Sequence, residues 1–394
     1  MHTKEHYIKK FGTWSSGNTN LDKIIQESQI NNPASSLQWI PYENFHNTKH
    51  IVDSEYYSLH SAILRNDMID EEWKCEDCVV VALKELKDYK YDILEFIKAI
   101  KNITVDIIYP FCFTRFFGIS KNPSTQNYII VMGSCDDTIH SCLSDIFLKN
   151  GWNSKTDLLY QITESLNILH ENNLVHCDLH SRNILMKNYN LVSFDIKIDP
   201  GLCKLDNDLI LNSDNKKNNV YGSIPYIPPE VLRGNEFTKE GDIYSFGGIM
   251  YEVATGNQPF SNQAHDTYLM IDICNGVRPK VPDMMLNLIP KCYLDMMYQC
   301  WDDNPLKRPT LHELSEFSDM LWNNVFLEFN DADKNRRLMN KSHELKLLQS
   351  LHNFHPQSCY TSRHIYTLYE LQDSLEDIKS GKCADPNLCT SNRF

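Results

Sequence analysis

Apolar positions along this chain change their spacing near residue 135. Before that point they come in short runs bounded by polar turns, the pattern of strands. Lys49–Val52 and Tyr56–Leu64 predict a hairpin, and Val79-Val80-Val81-Ala82-Leu83 predicts a strand that ends in Lys84. Phe111–Ile119 and Tyr128–Met132 read as two more. Between them, Ile93, Leu94, Phe96, Ile97 and Ile100 recur at helical spacing over Asp92–Ile103. This is a small β-rich unit with one helix. After a polar crossing at Cys135 to Leu143, apolar residues recur every three or four positions. Ser154–Asn172 carries Leu158, Leu159, Ile162, Leu166 and Leu169 on one face. Ile227–Arg233, Asp242–Thr255, Tyr268–Asn275 and Tyr293–Trp301 are further predicted helices, with short strands at Ile184–Met186 and Ser193–Ile198. The class is α+β.

The flanks differ from this core. Residues 1–37 form a polar amino-terminal extension with one amphipathic helix at Leu21–Ile30, and Asn31 to Ser36 reads as a linker. The expected domain spans 38–329, with a boundary inside it between 134 and 135. Leu205–Asn219, rich in Asn, Asp and Lys, is expected to be an exposed segment. The tail, 330–394, opens with a charged helical stretch and closes on the loop-like Gly381–Asn387. No internal repeat is present.

Composition narrows the class of function. At 394 residues, 42% hydrophobic and 23% charged, the chain is that of a folded protein. A formal charge of −14 speaks against binding to nucleic-acid backbones. No run approaches the length of a membrane span, and Met1-His2-Thr3-Lys4-Glu5-His6 is followed by no apolar leader, so a cytoplasmic location is expected. The 13 cysteines are odd in number and scattered, which suits free, partly buried thiols. Cys75-Glu76-Asp77-Cys78 has no second pair at zinc-finger spacing.

The candidate chemistry lies in four pieces, in fixed order: Val81-Ala82-Leu83-Lys84, His176-Cys177-Asp178-Leu179-His180-Ser181-Arg182-Asn183, Asp199-Pro200-Gly201 and Pro228-Pro229-Glu230. Two hard oxygen donors, on Asn183 and Asp199, suit Mg²⁺ better than a softer metal. The series resembles the protein-kinase signature of lysine strand, H-R-D-L-x-x-x-N loop, D-F-G and A-P-E. Asp242-Ile243-Tyr244-Ser245-Phe246-Gly247 resembles that family's central buried helix, and Cys300-Trp301 with Asn304-Pro305 and Arg308-Pro309 resembles its late helix. The resemblance covers roughly residues 40–327. It is closest to the tyrosine-kinase-like group and to the many such kinases of arbuscular mycorrhizal fungi.

The resemblance implies a bilobal fold, with a β-rich N-lobe (about 40–134) and a helical C-lobe (about 135–329). It implies transfer of the γ-phosphate of ATP to a protein hydroxyl, Ser or Thr, in intracellular signalling. Asp178 would orient the hydroxyl, Lys84 would hold the α/β-phosphates, and Asn183 and Asp199 would hold Mg²⁺. Ala82 and Leu185 would sandwich the adenine, whose edge would meet backbone near Met132, Ser134 and Cys135. Asp242 would anchor the catalytic loop, and Arg308 would pair with Glu230.

Several positions depart from the family pattern. Val52, Ser54 and Tyr57 stand where the nucleotide-covering loop has glycines. Ala99 stands where a glutamate should orient the lysine, with Glu95 one turn earlier. Pro200 replaces the D-F-G aromatic, and Cys177 replaces the loop arginine. These departures carry an alternative implication: a pseudokinase that binds nucleotide or acts as a scaffold. Tyr221 and Ser213 are candidate phosphorylation sites in the activation segment. The sequence assigns no role to His355-Pro356-Gln357 or Tyr360-Thr361-Ser362-Arg363.

Overall fold

Alternating side chains build a sheet in the first third of the chain, and helical periodicity builds most of the rest into a helical body. The computed structural model describes residues 4–31, 37–53, 57–65, 78–87, 93–94, 97, 113–114, 116–134, 137–142, 146, 151–188, 194–199, 203–205, 220–322, 327–339, 342 and 354–389. The chain divides into two units, Met1–Asp136 and Asp137–Phe394.

The first unit opens with α1 (Lys4–Lys10) and α2 (Thr19–Asn31). A sheet follows: β1 (Gln38–Trp39), β2 (Phe45–Asp53), β3 (Tyr57–Arg65), β4 (Cys78–Leu86), β5 (Phe116–Lys121) and β6 (Tyr128–Gly133), in the order β1-β5-β6-β4-β3-β2. Its pairs are antiparallel except β1 on β5. The predicted hairpin is present but longer, because Phe45 to Thr48 extend the first strand. The strand expected over Phe111–Ile119 begins at Phe116 among the described residues. Most of Asp92–Ile103, including Glu95 and Ala99, lies outside the described residues.

The two faces of β4 explain this unit. Val81 and Leu83 point into a cluster with Ile40, Phe45, Ala62, Leu64, Ile129 and Val131. Leu86 points the other way and meets Ile119, Ile130 and Met132. That second face is covered by Leu21, Ile24 and Ile25 of α2, joined by Ile93 and Ile97. The extension therefore supplies part of the core. Leu21 and Ile25 are fully buried, and each burial is worth about 1.5–3 kcal/mol. Asn18 starts the helix by accepting the backbone N–H of Asn20 and Leu21. Gly118 is required where β1 runs alongside β5, since a Cβ there would collide with the Gln38 carbonyl.

The second unit begins at β7 (Asp137–Thr138), then α3 (Trp152–Glu171), β8 (Leu174–Val175), β9 (Ile184–Asn188), β10 (Phe194–Ile198), β11 (Lys204–Leu205) and β12 (Val220–Gly222). Among the described residues, three small sheets form: β10-β9-β7, β11-β8 and β12 with a later strand. Helices α4 (Pro229–Leu232), α5 (Lys239–Thr255), α6 (Thr267–Cys274), α7 (Lys291–Cys300), α8 (Leu311–Trp322) and α9 (Leu327–Leu338) follow, then β13 (Arg363–Ile365) and α10 (Leu375–Lys379).

Helix α5 is the centre of this unit. Thr238 caps its start by accepting the Gly241 N–H, and every residue from Gly241 to Thr255 is buried. Gly248 lets Tyr226 pack against the helix, because a Cβ would lie 2.8 Å from that ring. Pro228 and Pro229 shorten the helix predicted over Ile227–Arg233 to α4 alone. The charged stretch of the tail is helical, as α9. Residues 354–389 then lie back against the rest of the second unit: Leu368 N–H donates to Leu232 O, and Asp385 accepts from the Thr267 backbone and hydroxyl.

Candidate active site

In the second unit, the loop after β8 is tied down from below by α5. Both carboxylate oxygens of Asp242, itself 1% exposed, accept backbone N–H groups, from His176 at 2.8 Å and Cys177 at 3.1 Å. His170 meets the same carboxylate at 2.9 Å. These bonds hold Cys177 at φ 64°, a left-handed conformation unusual for a residue with a Cβ. Its buried thiol, pushed well up by desolvation, donates to Val175 O. The second buried support is a bidentate pair: Arg308 Nη1 and Nη2 reach Glu230 Oε1 and Oε2 at 2.6 and 2.7 Å. Both pairings agree with what the motifs imply.

The loop then presents three polar groups together. Asn183 Nδ2 donates to Asp178 O at 2.8 Å and to Asp178 Oδ2 at 3.0 Å, which leaves Oδ1 as the atom able to take a cation. The Asp199 N–H donates to Asn183 O at 2.9 Å, so both candidate metal ligands stand on one short stretch of paired backbone. His176 joins the same group. Its Nδ1 accepts the Asp178 N–H and its Nε2–H donates to Asp199 O at 3.0 Å, a pattern that fixes the neutral tautomer. Burial, opposed by Asp242, Asp178 and Asp199, keeps this imidazole below its usual pKa. Sequence reasoning assigned His176 no role of its own.

Burial alone would raise the Asp178 carboxyl. The His180 imidazole and hydrogen bonds from His180 and Ser362 outweigh it and hold Asp178 below the ordinary carboxylate range. Ser362 belongs to the tail. Its hydroxyl lies 2.8 and 2.7 Å from Asp178 Oδ1 and Oδ2, and 2.9 Å from His180 Nε2. Nothing in the local sequence announces this contact, because it joins segments far apart in the chain.

The other predicted residues lie as follows. Leu185 is half-buried on β9, opposite Lys197 and Thr138. In the first unit, Lys84 and Ala82 share one face of β4, opposite Ile130 and Met132 of β6. Lys84 is buried within the strand, not at its end, with its ammonium 4.7 Å from the centre of the Tyr57 ring. Met132 is buried in the core and Ser134 is exposed. Val52 is exposed on β2. Cys135, Ser54, Pro200 and Ser213 lie outside the described residues. Among the described residues, no cluster of three or more His, Cys, Asp or Glu could hold a metal. A pair of oxygen donors completed by substrate phosphates and water is the arrangement Mg²⁺ uses.

Sequence comparison decides the family. The profile of one family, protein tyrosine and serine/threonine kinase, matches residues 45–317. The chain belongs to this family. Its relatives include a probable serine/threonine-protein kinase of Dictyostelium discoideum, 27% identical over 75% of this chain and 21% of that protein. Receptor-interacting serine/threonine-protein kinase 4 of Mus musculus is 26% identical over 58% of this chain and 29% of its own length. A protein kinase and PP2C-like domain-containing protein of Arabidopsis thaliana is 29% identical over 44% and 30%. The kinase chain described here thus spans less than a third of the length of each. The sheet-built first unit and helical second unit are those expected of a kinase domain. No helix among the described residues is long and apolar enough to cross a membrane.

Proposed function

We propose that the chain is an ATP-dependent protein kinase of the tyrosine-kinase-like group, acting on Ser or Thr hydroxyls in cytoplasmic signalling. The observation that carries this reading is a serine hydroxyl hydrogen-bonded to the ionised Asp178 carboxylate, beside Asn183 and Asp199. The serine/threonine kinases among its relatives, a receptor-interacting kinase included, support the acceptor type and the group.

Phosphoryl transfer asks the protein mainly for positioning and charge stabilisation. Asp178, ionised at neutral pH, points the acceptor hydroxyl by taking its hydrogen bond. Neutral His176 links the Asp178 backbone to Asp199 and keeps base and ligand in register. Lys84 places a positive charge for the α/β-phosphates, and Ala82 and Leu185 offer apolar surface to the adenine. Bound Mg²⁺, held through Asn183 Oδ1 and the Asp199 carboxylate, would neutralise phosphate charge. Transfer of labelled γ-phosphate to a general protein acceptor tests the reading. The parent chain labels it, and Asp178→Asn and Lys84→Met do not. Equal labelling by all three overturns it.

One observation favours a second reading, a pseudokinase. The Tyr57 ring lies against the Lys84 ammonium from a position where the family keeps glycine. Absence of transfer together with retained nucleotide binding would select it.

A further inference from the structure

Phosphate acceptors usually come from another molecule, yet this chain carries one on its own tail. Within the segment 359–365, Arg363–Ile365 form an added strand of the second unit. β13 pairs antiparallel with β12, setting Arg363 opposite Gly222, His364 opposite Tyr221 and Ile365 opposite Val220. Strand addition of this kind is how many domains receive extended peptides: the backbone supplies binding and alternate side chains supply selectivity.

The side chains flanking Ser362 each have a place. Two residues before Ser362, the Tyr360 ring is buried against His265 and its hydroxyl donates to Pro259 O at 3.0 Å. One residue after, Arg363 Nη2 donates to His265 O and Asn387 O at 2.8 and 2.7 Å. Three residues after, Ile365 is fully buried. His265 holds the approach: its Nε2 lies 3.1 Å from Phe260 O and its Nδ1 2.8 Å from Cys359 O. Gly222 suits this strand because its φ of 150° favours glycine and a Cβ there would crowd the Ile227 side chain at 3.2 Å.

The chemistry at the centre is that of a nucleophile in waiting. The Ser362 hydroxyl has one proton and two lone pairs. Asp178 accepts the proton's hydrogen bond, and His180 Nε2–H donates to one lone pair. The second lone pair is left for an electrophile. A structural serine in a tail needs neither the catalytic carboxylate nor a strand built on the activation segment.

We propose that Ser362 is the acceptor of an intramolecular phosphoryl transfer, and that Tyr360-x-Ser362-Arg363-x-Ile365 is the recognition sequence this site selects. The inference rests on the kinase reading above. In the step, Ser362 Oγ forms a bond to the γ-phosphorus of ATP and the bond from that phosphorus to the β–γ bridging oxygen breaks. ADP leaves with that electron pair, and the hydroxyl proton passes to Asp178. Once Asp178 has released that proton to water, the product's dianionic phosphate stands beside its carboxylate, a like-charge contact that drives the tail strand out and clears the site for other acceptors.

Phosphopeptide mapping of the full-length chain after incubation with ATP and Mg²⁺, alongside a general protein acceptor, tests this. The expected result is one phosphate on Ser362, gained at a first-order rate independent of protein concentration and lost in Asp178→Asn. Ser362→Ala loses it, whereas Ser362→Thr regains it as phosphothreonine at the same position. Acceptor labelling with Ser362 unmodified overturns the inference and leaves the kinase reading standing. A rate that rises with protein concentration overturns the intramolecular route. No transfer to either acceptor overturns the kinase reading and the inference with it.

Discussion

The two units treat the family pattern differently. In the first, the residues around Lys84 have drifted: Tyr57 packs its ring on the ammonium, and Val52 lies exposed on β2 in place of a glycine. In the second, Cys177 and Pro200 also depart from the pattern, but the loop that carries Asp178 and Asn183 is braced twice, by Asp242 beneath it and by the Arg308–Glu230 pair. A kinase can lose cofactor-gripping elements gradually, because each contributes affinity that millimolar nucleotide can replace. It cannot lose the acceptor geometry gradually, since a misplaced hydroxyl forfeits the orientation on which the rate depends.

That contrast can be broken from its strong side first. Asp178→Asn is expected to lower phosphoryl transfer by about 10²–10⁴-fold with little change in nucleotide affinity; a parallel fall in affinity would show that the two sides are not separable. Next comes the buried pair. Arg308→Met leaves the Glu230 carboxylate unpaired in the interior and is expected to cost about 3–5 kcal/mol of stability, read from denaturant unfolding. A cost under about 1 kcal/mol would show that the pair braces nothing.

A third test uses Glu252, a fully buried residue of α5 that accepts the Tyr226 hydroxyl at 2.5 Å. Burial pushes its carboxyl up to about 7, only partly offset by that hydrogen bond. The folded chain therefore binds a proton that the unfolded chain releases near its ordinary value of 4.5. Stability should fall as pH rises from about 4.5 to about 7 and level off above, by roughly 3 kcal/mol in all. Glu252→Gln should lack this part of the fall. Unfolding curves for both chains between about pH 5 and pH 8 check the sign.

The smallest effect belongs to the drifted side. Tyr57→Leu keeps apolar packing and removes one competitor for the Lys84 ammonium. ATP affinity is expected to rise by a few-fold, since cation–π contacts are worth about 0.5–2 kcal/mol. Weaker binding would mean that the ring helps the nucleotide. Replacing Val52, Ser54 and Tyr57 together by glycine should tighten binding further, measured in the same titration.

The fold was largely legible because periodicity is local. Val81 and Leu83 against Ala82 and Lys84 mark the two faces of β4, and Leu158 to Leu169 marks the buried face of α3. Spacing also carried the motif residues: Asp242, Glu230 and Arg308 make the contacts their positions imply. Long-range partners were not legible. Leu21 and Ile25 signal an amphipathic helix, but nothing in their spacing says that the sheet is what they cover. Helix α8 went unnoticed beside the stronger motif at Arg308-Pro309. Ser362 could not be foreseen at all, because its meaning comes from Asp178 and from the pairing of β13 with β12.

The central claim is that the first unit, despite the drift around Lys84, still binds nucleotide. Calorimetric titration of ATP with Mg²⁺ into the full chain, compared with Lys84→Met, tests it most directly. The account predicts saturable binding in the parent and clear weakening in the variant. No heat of binding in the parent at millimolar nucleotide would contradict it.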